Sequence, residues 1–412
     1  MSLTSTSGAD SAAITQRPWA ELKDPVFRTL VALMARVWSF GGIEVHTPEG
    51  RVIRIDGKAP GPRGVLIVKN PRFARRVFGS GDIGFAEGYM AGEWDSPHLA
   101  ALLSVLAMNH DGIRRLFHGN LLVQAMNWVG HRLNRNSRSG SRKNIHAHYD
   151  LGNAFYGLWL DPTMTYSSAR FVGDAETLEA AQKRKYETLC QAMDLQPGQH
   201  VLEIGCGWGG FAEHAAKRGA RVTGLTISKE QYDFAQARMQ RQGLSDQVEI
   251  RMLDYRDVEG QFDRVASIEM FEAVGRQYWP AYFAKLAEVL RPGGRAALQI
   301  ITIRDDLFAD YLKRMDFIQK YIFPGGDLPG ESVLKARTDE VGLAWTGIER
   351  FGQDYARTLA AWAERFQAAW PQITGGKFDE RFRRLWLFYL AYCEAGFSTG
   401  RTDVIQLALQ KG

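Results

Sequence analysis

One segment constrains this chain more than any other: Val201-Leu-Glu-Ile-Gly205-Cys-Gly207-Trp-Gly209-Gly210. A short apolar run ends in a cluster of glycines and passes into a helical pattern. Glycines there let the chain turn tightly and let a ligand approach the backbone. The same rhythm continues downstream. Residues 200–204, 221–225, 248–252, 262–268 and 295–303 read as strands, and 211–217, 229–240 and 277–290 as helices. Strands alternating with helices predict an α/β fold, a doubly wound and mostly parallel sheet covered on both faces. In such sheets ligands sit beyond the carboxyl ends of the strands. Residues 307–412 read as helical and aromatic-rich, a cap beside the mouth of the sheet.

Before residue 145 the pattern changes. Val26, Phe27, Leu30, Val31, Met34 and Val37 recur at spacings of three and four, which predicts an amphipathic helix over 24–39. Residues 42–68 alternate around glycine turns as short strands, and 73–106 return to helical spacing. This is a small α+β unit with no catalytic constellation of its own. The expected organisation is a disordered leader at 1–16, an N-terminal domain at 17–130, a basic linker at 131–145 and the main domain at 146–412. The linker carries Arg132, Arg135, Arg138, Arg142 and Lys143 without an acid. It reads either as a solvated connector or as a contact for anionic head groups, worth about 1 kcal/mol per basic residue at a membrane surface. No stacking module or zinc spacing accompanies it, so nucleic acid is not expected.

Composition narrows the class further. With 45% hydrophobic and 24% charged residues over 412 positions, the chain is globular rather than disordered or fibrous. Three cysteines, Cys190, Cys206 and Cys393, argue against a disulfide framework and for a reduced, cytoplasmic setting. No apolar run approaches membrane-spanning length and no secretory signal is read.

A glycine loop alone fits nicotinamide, flavin and sulfonium cofactors. The second strand helps to decide. A dinucleotide site expects an acid at its tip, whereas here it runs Gly224-Leu-Thr226-Ile-Ser228. Ser228 and Gln231 also have capping-box spacing, so Gln231 is either a cap or a ligand contact. Glu203 is a further acid on the cofactor side, or a brace for the loop. Glu269 and Glu272 follow the fourth strand. If helical they share a face, and the expected arrangement is one exposed and Glu272 inward, between Phe271 and Val274. Gln299 stands in an apolar strand, where a buried polar group needs a partner. Cys206 reads as packing. His146 and His148 find no further ligand spacing, so no metal site is expected.

At this point the residues resemble a known family, the cyclopropane fatty acyl phospholipid synthases and mycolic acid cyclopropane synthases. The resemblance lies in His148-Tyr-Asp-Leu-Gly-Asn153, Asp161-Pro162, Tyr166-Ser167, the glycine loop, Thr226 to Gln231, Asp254-Tyr-Arg-Asp257, Met270-Phe-Glu272, Tyr321-Ile-Phe-Pro-Gly-Gly326 and Asp354-Tyr355. It extends loosely into Gly84 to Trp94. It implies a Rossmann-like methyltransferase that uses S-adenosylmethionine on a cis double bond of an unsaturated phospholipid. Tyr166 and Ser167 would close over the donor, and Gly205, Cys206 and Gly207 would line it. Thr226 and Gln231 would hold the ribose and nearby groups, and Tyr255 and Arg256 would border the adenine. It also implies a lipid-facing first domain and peripheral contact with the anionic inner leaflet; a homodimer is left open.

In that family a bound bicarbonate takes the proton from the new methyl, held by a Cys, a Glu, a His, a backbone group at an Ile and a Tyr. Glu272, Ile301 and Tyr355 match. Ser168 stands at the Cys position and Gln299 at the His position, with Ala273 after the central Glu. Glutamine does not titrate near neutrality, unlike histidine. Three outcomes stay open: bicarbonate retained in altered form, Glu272 itself as base, or a hydride shift giving a methyl- or methylene-branched chain rather than a ring. Two rival readings are a methyltransferase on a small soluble acceptor and a non-catalytic lipid-binding protein with this fold.

Overall fold

The computed structural model describes residues 19–116, 151–375 and 378–412. The expected leader, the basic linker, and His146 and His148 lie outside the described residues.

The N-terminal unit begins with helix α1 (Pro25–Val37). Asp24 caps it, its carboxylate accepting from the N–H groups of Val26 and Phe27, both at 2.9 Å. Its apolar stripe of Phe27, Leu30, Val31 and Met34 is buried. Strands β1 (Phe40–His46), β2 (Val52–Asp56), β3 (Ala59–Val68) and β4 (Trp94–Asp95) form a sheet in the order β2-β1-β3-β4. Helices α2 (Phe73–Met90), α3 (Leu99–Met108) and α4 (His110–Leu116) surround it, α2 being kinked at Gly81.

After α5 (Asn153–Gly157) and α6 (Leu178–Ala192) the main sheet begins. Strands β5 (His200–Ile204), β6 (Arg221–Thr226), β7 (Val248–Met252), β8 (Phe262–Ile268) and β9 (Leu290–Ile303) run parallel, as expected. Helices α7 (Gly210–Lys217), α8 (Lys229–Arg241) and α9 (Trp279–Val289) connect them. Helices α10 (Asp305–Tyr311), α11 (Phe317–Tyr321) and α12 (Glu331–Glu340) follow β9.

The C-terminal part departs from the all-helical expectation. Strands β10 (Leu343–Arg350) and β11 (Thr402–Lys411) complete a seven-stranded sheet in the order β10-β11-β9-β8-β5-β6-β7. β11 inserts antiparallel between β9 and β10, with Thr402 opposite Ile303 and Gln406 opposite Gln299. Its Val404, Ile405, Leu407 and Leu409 are fully buried, because an interior strand is covered on both faces. Such apolar density does not distinguish strand from helix by its spacing alone.

Between these strands, α13 (Gly352–Ile373) and α14 (Glu380–Ser398) form a hairpin that carries the N-terminal unit. Phe388 meets the rings of Tyr89 and Trp94, and one apolar cluster runs through both units. Arg384 locks the contact. Its guanidinium donates to the carbonyls of Tyr89 at 2.5 Å and Trp94 at 2.8 Å, lies 3.9 Å from the Tyr89 ring and pairs with Asp95.

Candidate active site

The glycine loop leaves β5 as expected. Gly205 has φ +83° and Gly207 φ +53°, and a Cβ at Gly205 would meet Met270 Cγ at 2.7 Å. Both position and space therefore require glycine at 205. The Gly205 and Cys206 N–H groups donate to the Leu225 carbonyl at 3.1 and 2.8 Å, which ties the loop to β6. The Cys206 thiol is buried, and its surroundings push its pKa well up, so it packs rather than reacts. Glu203 is buried beneath the loop. Its Oε2 has no hydrogen-bond partner among the described residues, and burial raises its pKa to about 8.

At the tip of β6, Thr226 Oγ1 donates to Gln231 Oε1 at 2.9 Å and accepts from the Ser228 N–H at 3.2 Å. Ser228 Oγ accepts from the Gln231 N–H, so half of the capping box forms. The glutamine side chain turns to Thr226 instead. Tyr255 and Arg256 lie on a short 3-10 turn after β7. Arg256 pairs with Asp254 at 2.5 Å and borders the Tyr255 ring.

Tyr166, Ser167, Gly205, Cys206, Gly207, Thr226, Gln231, Tyr255 and Arg256 all line one cavity of about 650 Å³. Glu269, Glu272, Ile301 and Tyr355 line the same cavity. Its walls continue to Tyr389 and Tyr392 of α14 and to Leu30, Val77 and Leu103 of the N-terminal unit. Tyr166 closes one side, its hydroxyl 2.7 Å from that of Tyr389. The residues present suit S-adenosylmethionine: an open glycine turn, hydroxyl and amide groups at the second strand, an aromatic edge after the third, and an unpaired buried carboxyl oxygen at Glu203.

The two acids depart from expectation. Both face the cavity, and they do not share a helical face. Glu269 has φ +48°, a left-handed conformation unusual for a non-glycine residue, while Glu272 lies in a 3-10 turn. The Glu269 N–H donates to the Gln299 carbonyl at 2.8 Å. Strain of this kind persists only where surrounding structure over-determines it, and it clusters at functional sites. Here it swings the Glu269 carboxylate into a nest of donors. Oε1 accepts from the Ser168 N–H at 2.8 Å and Gln299 Nε2 at 2.7 Å. Oε2 accepts from the Tyr355 hydroxyl at 2.6 Å.

Ser168 and Gln299 thus stand behind Glu269 rather than on the cavity wall. The Ser168 hydroxyl turns away to the Ala169 carbonyl at 2.9 Å, so it offers the site its backbone N–H and not its side chain. Gln299 Oε1 accepts from Gln406 Nε2 at 3.2 Å, which fixes the amide so that its NH2 points at Glu269. Glu272 has fewer partners. Its Oε1 accepts from the Ile301 N–H at 2.5 Å, and its Oε2 has none among the described residues.

The electrostatics follow. Burial raises both carboxyl pKa values. Burial and then the Glu269 charge push Glu272 up to about 8, with the backbone N–H groups of Ile301 and of Glu272 itself opposing. Burial raises Glu269 also, but Lys185, Tyr355, Ser168 and Gln299 all oppose it. Two neighbouring carboxyls titrate as a pair. The member that meets more hydrogen-bond donors holds its charge at lower cost. The donors around Glu269 favour its charged form more than the surroundings of Glu272 favour that of Glu272. The expectation of one outward acid is therefore corrected, since Glu269 is held inside by its donors. The buried polar Gln299 is the signal in the sequence that something meets it.

Comparison with known proteins agrees with this architecture. A family model described as mycolic acid cyclopropane synthetase matches residues 136–407. The tuberculostearic acid methyltransferase UfaA1 of Mycobacterium tuberculosis is 40% identical over 98% of each chain. The cyclopropane-fatty-acyl-phospholipid synthase of Escherichia coli K12 is 39% identical over 87% of this chain and 90% of that one. Among solved structures, the mycolic acid cyclopropane synthase CmaA1 complexed with SAH and CTAB superposes with a TM-score of 0.62, at 32% identity over 66% of this chain and 98% of that chain. The glycine loop, the two acids and the cavity therefore sit in a chain that belongs to the mycolic acid cyclopropane synthetase family of S-adenosylmethionine-dependent methyltransferases.

Proposed function

We propose that this enzyme methylates a cis double bond in an acyl chain of a membrane phospholipid and releases a branched chain bearing a new double bond. The observation that carries the reading is the carboxylate of Glu269, gripped by three donors at the wall of the cavity that also holds the glycine loop. When bound, S-adenosylmethionine would supply an electrophilic methyl carbon and depart as S-adenosylhomocysteine as its S–CH3 bond breaks; the alkene carbon that takes the methyl would leave a cation on the neighbouring acyl carbon. Glu269 then takes the proton whose loss, after a hydride shift, leaves the double bond. Tyr355, Gln299 and the Ser168 N–H hold the base in place, and protonated Glu272 adds no second negative charge.

Bicarbonate has no role in this reading. The donors at 168, 299 and 355, which the family resemblance assigned to that ion, are spent on a side-chain carboxylate. The family's histidine, which could relay a proton, is glutamine here. Relatives named as a methyltransferase and as a cyclopropane synthase are similar to nearly the same degree, so the choice of a branch over a ring rests on the site residues. Aromatic walls at Tyr166, Tyr389 and Phe388 exclude water, which would otherwise capture the cation as an alcohol.

No helix among the described residues is long and apolar enough to cross a membrane. We place the enzyme on the cytoplasmic face as a peripheral protein, drawn to anionic lipid by the basic stretch at 131–145. Expression in a host that lacks modified fatty acids tests the whole reading. Lipids should gain one methylene unit of mass and show olefinic branch protons. Cyclopropyl protons would refute the branched product, and unmodified lipids would refute the activity. Methylation of small soluble compounds without vesicles would favour the rival acceptor.

A further inference from the structure

Helix α6 carries a lysine that the chemistry above does not use. Lys185 is fully buried, at 0% exposure. Among the described residues its ammonium makes one hydrogen bond, from Nζ to Ser167 Oγ at 2.6 Å, and it lies 4.9 Å from the centre of the Tyr186 ring. An ammonium taken out of water is costly unless charges nearby compensate it. The Glu269 carboxyl opposes that cost, and Asp161 and Glu203 do so after it, none of them in a direct ion pair with the ammonium among the described residues. The first of these is the gripped carboxylate.

The contacts of α6 converge on the same place. Gln182, one turn earlier, donates to the Ser167 carbonyl at 2.9 Å. Gln406 Nε2 donates both to the Lys185 carbonyl and to Gln299 Oε1, each at 3.2 Å. The helix thereby holds both arms that reach Glu269 Oε1: the 167–168 turn with its N–H, and the Gln299 amide.

We infer that Lys185 is a positioning residue, the internal counter-charge that keeps Glu269 ionised and anchors the turn that grips it. This rests on the reading of Glu269 as the base. The other charged or titratable groups facing the pair are Glu272 and Tyr355 on the Glu269 side, and Asp161, Glu203 and Tyr186 on the lysine side. Tyr186 is committed to Thr165 by a 2.5 Å hydrogen bond. Tyr355 donates to Glu269, so Lys185 is the cation acting on the carboxylate. Burial pulls the lysine down to about 7, so the counter-charge itself weakens on the alkaline side.

Lys185→Met keeps the length of the stem and removes the charge. The Glu269 carboxyl can be titrated by carbon NMR in glutamate-labelled full-length protein, its signal assigned by its loss in Glu269→Gln. The expected result is a Glu269 pKa at least about one unit higher in Lys185→Met, a tenfold gain in proton affinity. The acid limb of kcat/KM should move with it. Lys185→Gln, which also removes the charge but keeps a polar group, should show the same shift and serves if the methionine variant does not fold. An unchanged Glu269 titration in a folded, donor-binding variant would overturn the inference. Failure of the parent enzyme to modify lipid would overturn the functional reading and leave the titration result standing.

Discussion

Replacing Glu269 by glutamine removes a proton acceptor while preserving shape. In the parent protein three hydrogen bonds end on this side chain. The amide oxygen of the introduced glutamine can keep those from the Ser168 N–H and Gln299 Nε2. The amide nitrogen would face Tyr355, whose hydroxyl must turn from donor to acceptor, which a phenol can do. The fold and the donor site should therefore survive. A positioned general base contributes roughly 10²- to 10⁴-fold, or about 3–5 kcal/mol of barrier. Turnover should fall by that factor, measured as S-adenosylhomocysteine release in the presence of vesicles of a cis-monounsaturated phospholipid. Calorimetry should find donor binding unchanged, and lipid mass spectrometry should find the methylated product reduced in step. Parental turnover and product in Glu269→Gln would refute the assignment of the base and, with it, the account of why 168, 299 and 355 converge.

Tyr355→Phe should lower kcat by roughly 10- to 100-fold, since a hydrogen bond to a charged group is worth about 1.5–3 kcal/mol. Its loss raises the Glu269 pKa further, so the acid limb of the pH–rate profile should move to higher pH; a fixed limb would count against the contact. Gly205→Ala forces a Cβ against Met270 at a positive φ, and donor binding measured by calorimetry should be lost or strongly weakened. Arg384→Ala removes the guanidinium that donates to the Tyr89 and Trp94 carbonyls at the junction of the two units. Stability should fall by about 2–4 kcal/mol in denaturant titration, and a loss well under about 1 kcal/mol would show that the apolar cluster alone holds the junction.

Much of the architecture was legible because it is local. The glycine loop, the alternation of strands and helices, and the amphipathic helix after Asp24 each depend on residues a few positions apart, and each stands where the periodicity put it. Gly205, Thr226 and Tyr255, which the family resemblance placed at the methyl donor, stand at or just beyond strand ends and line one cavity. β11 was not, because an interior strand lacks the alternation that marks a half-exposed one, and only its neighbours β9 and β10 identify it.

The proposed base does not stand out in the sequence. Glu269 and Glu272 are equivalent as letters, and what separates them is the number of donors each meets. Those donors come from Ser168, Gln299 and Tyr355, on three separate elements, and one of them is a backbone N–H that no residue name announces. The left-handed turn at 269 is likewise a property of the folded backbone. Nothing in the sequence marks Lys185, which is fully buried once the chain folds. Sequence alone determined the class of fold and the kind of cofactor, through short-range pattern. Tertiary structure decided on which carboxyl the donors converge, because a charge inside a protein is set by the partners that distant segments bring to it.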